Sequence, residues 1–434
     1  MENTKTIAKA RQRLHGTIEI PGDKSISHRS VMFSALGSTP VHITNFLHAQ
    51  DCLSTAACMK ALGASVEFES ETALAVCGHG LHGLQEASTI IDAGNSGTTL
   101  RLMMGILAPQ PFLTTFTGDA SLHKRPMGRV IKPLSAMGAK IYGRENNTKL
   151  PITIVPAESR LHGMVYESPV ASAQVKSAIL LAGMYADGPT TVVEPFTSRD
   201  HTERMLEAFG VETKKEGTAV TIEPVDSFRA PEAIEVPGDI SSAAYWLVAG
   251  SVVPGSSLLL KNVGVNPTRT GILDVLKAMG ASVTLENERV SGGEAAADIR
   301  VEAAKLHGTS FGAEIMPRLI DEIPVIAVAA LFAEGDTVIT GAGELRVKET
   351  DRLQAITDEF NKLAPGSVEA SEDGLVIHGG TKVQCANCFS YDDHRMAMSL
   401  AILGTAGEGV EIERPDCVNI SYPAFYGTLA RLQA

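Results

Sequence analysis

The feature that most constrains this chain is a turn that it spells twice. Ile18-Glu19-Ile20-Pro21-Gly22-Asp23 returns as Ile234-Glu235-Val236-Pro237-Gly238-Asp239, and each copy runs into serines and then an apolar segment of small residues. Four weaker echoes share the same plan. Gly94-Asn95-Ser96-Gly97 leads into Leu100–Leu107, Pro169-Val170-Ala171-Ser172 into Ile179–Met184, Asp321-Glu322-Ile323-Pro324 into Ala327–Phe332, and Asp393-His394-Arg395 into Met396–Leu403. The six turns fall roughly 70 to 80 residues apart, the length of a supersecondary unit. Alternating extended residues, a turn and an apolar run read as strand, turn and helix.

Each unit continues alike. A β-branched strand comes next, such as Thr190–Val193 or Asp336–Ile339, then an amphipathic helix with a glycine stop. Those helices are Leu53–Leu62 before Gly63, Met127–Met137 before Gly138, Thr202–Phe209 before Gly210 and Thr270–Met279 before Gly280. An alternating hairpin closes the unit. Six βαβαββ units in 434 residues divide most naturally three and three. The two strong Pro-Gly copies sit at equivalent points and read as the places where the chain crosses between lobes. One lobe is then 23–237, and the other is 1–22 plus 238–434. Two crossovers imply a hinge, and a hinge implies closure on a ligand held between lobes.

Net charge is −13, which argues against a general nucleic-acid or membrane-surface binder. An anionic ligand therefore needs a local basic island. The longest apolar run, Ile323–Ala333, is too short to span a bilayer, and the basic residues near the N-terminus precede no apolar stretch of a secretory signal. A cytoplasmic protein with reduced thiols is expected. Of six cysteines only Cys385 and Cys388 have metal or redox spacing; no second such pair accompanies them, and no metal is expected. Gly78-His79-Gly80-Leu81-His82-Gly83 matches a dinucleotide fingerprint in letters, but Leu84–Ser88 is too short and polar for the required helix, so it reads as a hairpin turn. Asp23-Lys24-Ser25 lacks the glycines of a phosphate-binding loop.

Comparing repeat copies separates geometry from chemistry. Pro, Gly and Asp stand in both strong copies, whereas Lys24 and Arg29 of the first are Ile240 and Tyr245 in the second. A helix N-terminus with two added cations favours an anion, although Ser25 or Ser27 would also serve simply as a cap. Arg125, Lys348, Arg352 and Arg395 stand at further openings into helices. Singly, each suits a solvated face or a salt bridge; together they suit a pocket for more than one anionic group. Asp321, Glu322 and Glu349 add carboxylates at the same openings. Carboxylates in different surroundings can divide base and acid roles, and without a nucleophile elbow or a cysteine beside the cations, acid–base and electrostatic catalysis is favoured.

Six ordered motifs carry a resemblance that spans essentially the whole chain. They are Pro-Gly-Asp-Lys-Ser-Ile-Ser-His-Arg (21–29), Gly-Asn-Ser-Gly-Thr (94–98), Lys-Arg-Pro-Met (124–127), Ala-Ser-Ala-Gln-Val-Lys-Ser (171–177), Arg-Val-Lys-Glu-Thr-Asp-Arg (346–352) and Asp-His-Arg (393–395). In these the chain resembles the enolpyruvyl transferase family, in the branch acting on shikimate 3-phosphate. The resemblance implies a two-lobed inside-out α/β barrel, six βαβαββ repeats with three per lobe. It implies that phosphoenolpyruvate and shikimate 3-phosphate meet in the cleft and leave as an enolpyruvyl ether and phosphate, in a step towards chorismate. It further implies that Lys24 touches both substrates, and that Ser25, Arg29, Ser172 and Arg199 hold shikimate 3-phosphate, with its phosphate near Ser172. Gln174 would lie between the substrates. Gly97, Arg125, Arg352 and Arg395 would hold phosphoenolpyruvate. Asp321 would be the base, with Lys348 nearby, and Glu349 the acid. No cofactor is implied, and a monomer is expected. Ile420 stands where part of the family has a substrate-contacting lysine. Gly97, lacking a Cβ, implies sensitivity to the donor analogue glyphosate, whereas Ile420 resembles a divergent branch of the family that is linked to tolerance of it. The sister transferase acting on UDP-N-acetylglucosamine carries Lys-Asn at 24–25 and a cysteine in the loop before Arg125; neither is present here. A two-lobed anion-binding protein without catalysis would need the cations but not Asp321 and Glu349.

Overall fold

A computed structural model describes residues 3–291 and 293–434. The chain folds as a mixed α/β protein in two compact units. The first comprises residues up to Pro21, Gly238–Arg289 and Ala295–Ala434; the second comprises Gly22–Pro237 and Val290–Glu294. The boundaries fall at the repeated turn because each copy exchanges strands. His15–Glu19 pairs in parallel with Ser257–Gly264, the strand after the other copy's helix, and Ala233–Glu235 pairs in parallel with Val41–Thr44.

Six helices begin at the six turns: Lys24–Ser34, Gly97–Leu107 and Ala173–Gly183 in the second unit, and Ile240–Val252, Ile323–Leu331 and His394–Ala406 in the first. They are buried nearly all round, which is why their sequences are apolar and small rather than amphipathic. All nine residues of Ile323–Leu331 are buried, and each large aliphatic side chain there contributes about 1.5–3 kcal/mol. Small residues set the spacing between helices. A Cβ on Gly105 would stand 2.2 Å from the Ala178 carbonyl oxygen, so the second and third buried helices cross at a distance only glycine permits.

Among the described residues the strands form six sheets, three in each unit, five of four strands and one of three. In each four-stranded sheet a parallel pair continues into an antiparallel hairpin, such as Thr213–Glu216 with Ala219–Ile222. The three-stranded sheet departs from the expected repeat. After Val410–Glu413 the chain turns into a 3-10 stretch and the helix Phe425–Gln433, which buries Phe425, Leu429 and Leu432. The N-terminal strand Thr4–Ile7 pairs antiparallel with Val410–Glu413 and takes the place of the missing hairpin strand.

The glycine-stopped helices are present, and Gly63, Gly138, Gly210 and Gly280 all adopt positive φ. Residues 78–83 are a loop leaving the strand Leu74–Cys77, without a helix behind it and not a hairpin connection; the next strand is Ile91–Asp92. No helix of the described residues is long and apolar enough to cross a membrane.

Candidate active site

Each buried helix starts where its turn ends, so the turn side chains are delivered at helix N-termini. In the second unit Lys24 opens the first buried helix, with its ammonium 2.5 Å from Asp51 Oδ2. Asp51 sits on the first turn of Gln50–Ala61. The cap expected from Ser25 or Ser27 is made by Asp23, whose carboxylate accepts from the Ile26 N–H at 2.9 Å. Asp23 has the extended backbone of a cap, whereas the two serines already lie within the helix; Ser27 Oγ instead accepts from the Leu47 N–H at 3.0 Å.

Arg29 is buried. Its guanidinium donates to the Ser25 carbonyl (2.9 Å), Thr202 Oγ1 (2.7 Å) and Ser177 Oγ (3.0 Å), tying the first buried helix to the third. Burial lowers its pKa to about 10, against the opposing pull of Glu203, Asp23 and Glu294. Burial also holds the His28 pKa well below its ordinary value, reinforced by Lys24 and Arg29, so this imidazole is neutral. Its Nδ1 lies 2.6 Å from Thr55 Oγ1, which lies 2.6 Å from Thr99 Oγ1, a polar chain linking neighbouring helices.

Gly97 opens the second buried helix, and Arg125 lies beside it. The Arg125 guanidinium donates to the Asn95 carbonyl (3.3 Å), Asn95 Oδ1 (2.8 Å) and Ser121 Oγ (3.3 Å), which brings motifs 94–98 and 124–127 together. Gln174 is clamped at both ends of its amide. It accepts from Arg101 Nη1 at 2.7 Å and donates to Thr98 Oγ1 at 2.9 Å. Ser172 is the N-cap of the third buried helix, and its N–H donates to Glu194 Oε1 at 2.8 Å. Arg199 is half-buried next to Ser198, which donates through its hydroxyl to Glu194 Oε2 at 2.7 Å.

The first unit gathers the remaining candidates around Asp321. Its Oδ1 lies 3.4 Å from Lys348 Nζ and 3.5 Å from Arg352 Nη1, and its Oδ2 lies 4.0 Å from Arg395 Nη2. Arg352, with a side chain 1% exposed, pairs with Asp393 at 2.8 Å and with Glu349 at 2.6 Å. Burial acts to lower the Arg352 pKa, but Asp393 and Glu349 overcome it and the pKa rises. The same contest ends the same way at Arg395, where Asp321, Tyr245 and Glu322 outweigh burial. Two fixed cations therefore persist in a largely dry setting. Such a cluster can hold a polyanion, and two carboxylates, Asp321 and Glu349, stand within it.

Several participants escape a reading of the sequence. Arg101 carries a signal, since it lies four residues after Gly97 on one helical face. Lys176 carries one too, as a lone charge in an apolar buried helix that must find a partner. Asp393 belongs to a motif whose arginine draws the attention, and its own role is visible only in its pair with Arg352. Asp51 and Glu194 lie in segments whose meeting with the site only the fold reveals. Ile420 ends the 3-10 stretch Pro415–Ile420 and brings no charge. Cys385 is exposed and Cys388 buried, and no group of three or more His, Cys, Asp or Glu gathers as a metal site among the described residues.

The family model for EPSP synthase (3-phosphoshikimate 1-carboxyvinyltransferase) matches residues 8–429. A 3-phosphoshikimate 1-carboxyvinyltransferase from Bacillus cereus is 52% identical over 429 residues, covering 99% of each chain. One from Desulforamulus reducens is 50% identical, covering 96% of this chain and 97% of its own. The solved EPSP synthase of Acinetobacter baumannii superposes with a TM-score of 0.88 at 42% identity, over 99% of this chain and 98% of that one. The enolpyruvyl transferase NikO of Streptomyces tendae, 17% identical, shares the fold with a TM-score of 0.80, over 100% of this chain and 98% of that one.

Proposed function

The chain belongs to the EPSP synthase family, and we propose that it transfers the enolpyruvyl group of phosphoenolpyruvate to the 5-hydroxyl of shikimate 3-phosphate. The observation that carries the reading is a cluster in which Asp321 lies within salt-bridge reach of Lys348, Arg352 and Arg395 while Glu349 pairs with Arg352, two carboxylates among three cations. In this reading each unit is a lobe of three βαβαββ repeats in an inside-out barrel, the sixth repeat completed by the N-terminal strand instead of its own hairpin, and one reaction draws on residues of both.

Asp321 takes the proton of the attacking hydroxyl, and the oxygen bonds to C2 of phosphoenolpyruvate while Glu349 protonates the methylene carbon. The tetrahedral adduct then loses from C2 the phosphate, which takes the proton held by Asp321, while a proton of the new methyl group returns to Glu349 and the double bond is restored. Arg125, beside the helix start at Gly97, and Arg352 and Arg395 hold the phosphate and carboxylate of the donor. Lys24 touches both substrates and Gln174 lies between them. Ser25, Arg29, Ser172 and Arg199 hold shikimate 3-phosphate. Arg29 is buried on hydrogen bonds to the protein, which suits a rigid floor under the sugar-like ring. The addition and elimination exchange only protons and phosphate, so no redox partner is required.

The reading is tested by phosphate release. Phosphate should appear when both substrates are present and with neither alone; release from phosphoenolpyruvate alone, or none at all, overturns it. Two variants probe the donor side. Arg125→Ala should weaken phosphoenolpyruvate binding about tenfold or more while shikimate 3-phosphate changes little. Equal losses in calorimetric titrations would remove Arg125 from the donor site. The unsubstituted enzyme should be inhibited by glyphosate. A Cβ at Gly97 would stand 2.7 Å from Arg101 Nη1 and 3.6 Å from Arg125 Nη1. Gly97→Ala should therefore raise the inhibitory glyphosate concentration, by about tenfold given typical overpacking penalties. An unchanged inhibition curve would place the analogue elsewhere.

A further inference from the structure

Four buried groups beneath Ser172 have no part in the chemistry above. Glu194 comes directly after the strand Thr190–Val193 and is buried, as are Lys176, Ser198 and Glu203. One carboxylate oxygen of Glu194 accepts from the Ser172 N–H at 2.8 Å. The other accepts from the Ser198 hydroxyl at 2.7 Å and from the Ser198 N–H at 3.3 Å. Lys176 Nζ lies 3.2 Å from that second oxygen and 2.7 Å from Glu203. We propose that Glu194 is a positioning residue: it fixes the separation of Ser172 from the Ser198-Arg199 segment so that the two converge on the phosphate of shikimate 3-phosphate, with Lys176 as its counter-charge. The proposal rests on the reading that Ser172 and Arg199 hold that phosphate.

The local chemistry supports a strut rather than a ligand. The Ser172 side chain makes no cap hydrogen bond, so its hydroxyl is not committed to the helix it opens. Ser198 spends its hydroxyl proton on Glu194, so the phosphate donor of that segment is its neighbour Arg199. A carboxylate under a phosphate site repels the ligand unless it is neutralised. Lys176, one turn along the same helix as Ser172, offsets that charge in part, since its ammonium is shared with the nearer Glu203. Burial acts to lower the lysine pKa, but Glu203 and Glu194 outweigh it and the ammonium is held charged. A carboxylate that bridges two loops through three donors sets their spacing far more tightly than two independent loops would.

Equilibrium binding of shikimate 3-phosphate and of unphosphorylated shikimate should be measured on the full chain and on Glu194→Gln and Ser198→Ala. The parent protein should prefer the phosphorylated ligand. Glu194→Gln should reduce that preference about tenfold, raising the KM for shikimate 3-phosphate while kcat and the KM for phosphoenolpyruvate stay within about twofold. Ser198→Ala should shift the preference in the same direction by less, and it decides the matter if Glu194→Gln does not fold. If the parent shows no preference, the phosphate reading of Ser172 and Arg199 falls. If the parent shows it and the variants keep it in full, the reading stands and the positioning role is overturned. Parallel losses for both ligands and for phosphoenolpyruvate also overturn it, because they would mark general disruption.

Discussion

Asp321→Asn should leave a folded protein that binds both substrates and turns over about a hundred- to ten-thousandfold more slowly. Asparagine keeps the volume and planar shape of the side chain, and the contact that Arg395 makes here, to the Asp321 carbonyl at 3.1 Å, belongs to the backbone and survives the substitution. What is lost is a proton acceptor and one negative charge among Lys348, Arg352 and Arg395. Removing an anion from among three cations favours an anionic donor, so phosphoenolpyruvate should bind as well as before or more tightly. The signature is a fall in kcat with no rise in the donor dissociation constant, read from single-turnover kinetics and calorimetry. Turnover near the parental rate would remove Asp321 as the base.

Arg352→Met should lower both stability and activity. Arg352 and Asp393 have side chains 1% and 0% exposed and meet at 2.8 Å. Methionine is of similar length and packs without strain, but it leaves a buried carboxylate whose charge had been compensated. Breaking a buried pair from one side typically costs about 3–5 kcal/mol. Asp393 also caps the sixth buried helix by accepting from the Arg395 N–H at 2.8 Å, so its reorganisation would disturb the start of that helix. Trp246, the single tryptophan, is buried in the same unit on a helix packed against the sixth, and its indole N–H donates to Tyr422. Its fluorescence in a urea titration should show a lower midpoint with an unchanged slope. Lys9→Met is the contrast. Its pair with Glu408 is about half exposed on both sides, where solvent screens the attraction, so the variant's midpoint should stay near the parental one. An Arg352→Met midpoint equal to that of Lys9→Met would mean that Asp393 is not held by this pair.

Legibility in the sequence depends on how local each feature is. The buried helices and their turns are legible because strand, turn and apolar run are contiguous, and the glycine stops because positive φ is a property of one residue. The cap is legible only as far as its turn. The serines and Asp23 all have capping side chains, and only the backbone shows that the helix begins at Lys24, after Asp23. The sixth repeat reads as complete and is not, since pairing of Thr4–Ile7 with Val410–Glu413 joins segments some four hundred residues apart. Letters at that separation carry no sign of each other.

The sequence by itself determined the repeat, the helix starts and the charges that differ between copies, because each is written within a few consecutive residues. The tertiary structure decided what those charges do. Lys24 meets Asp51, Arg29 sinks onto hydroxyls, and Arg352 is locked to Asp393 while Asp321 stands among three cations. The physical reason is that a side chain's charge state and freedom depend on burial and on partners within a few ångströms, and those partners come from distant residues of the same repeat, as Asp51 does for Lys24, or from another repeat, as Asp393 does for Arg352. The repeated Pro-Gly turn placed the helices; the packing around their N-termini decided which protein partners each of those side chains meets.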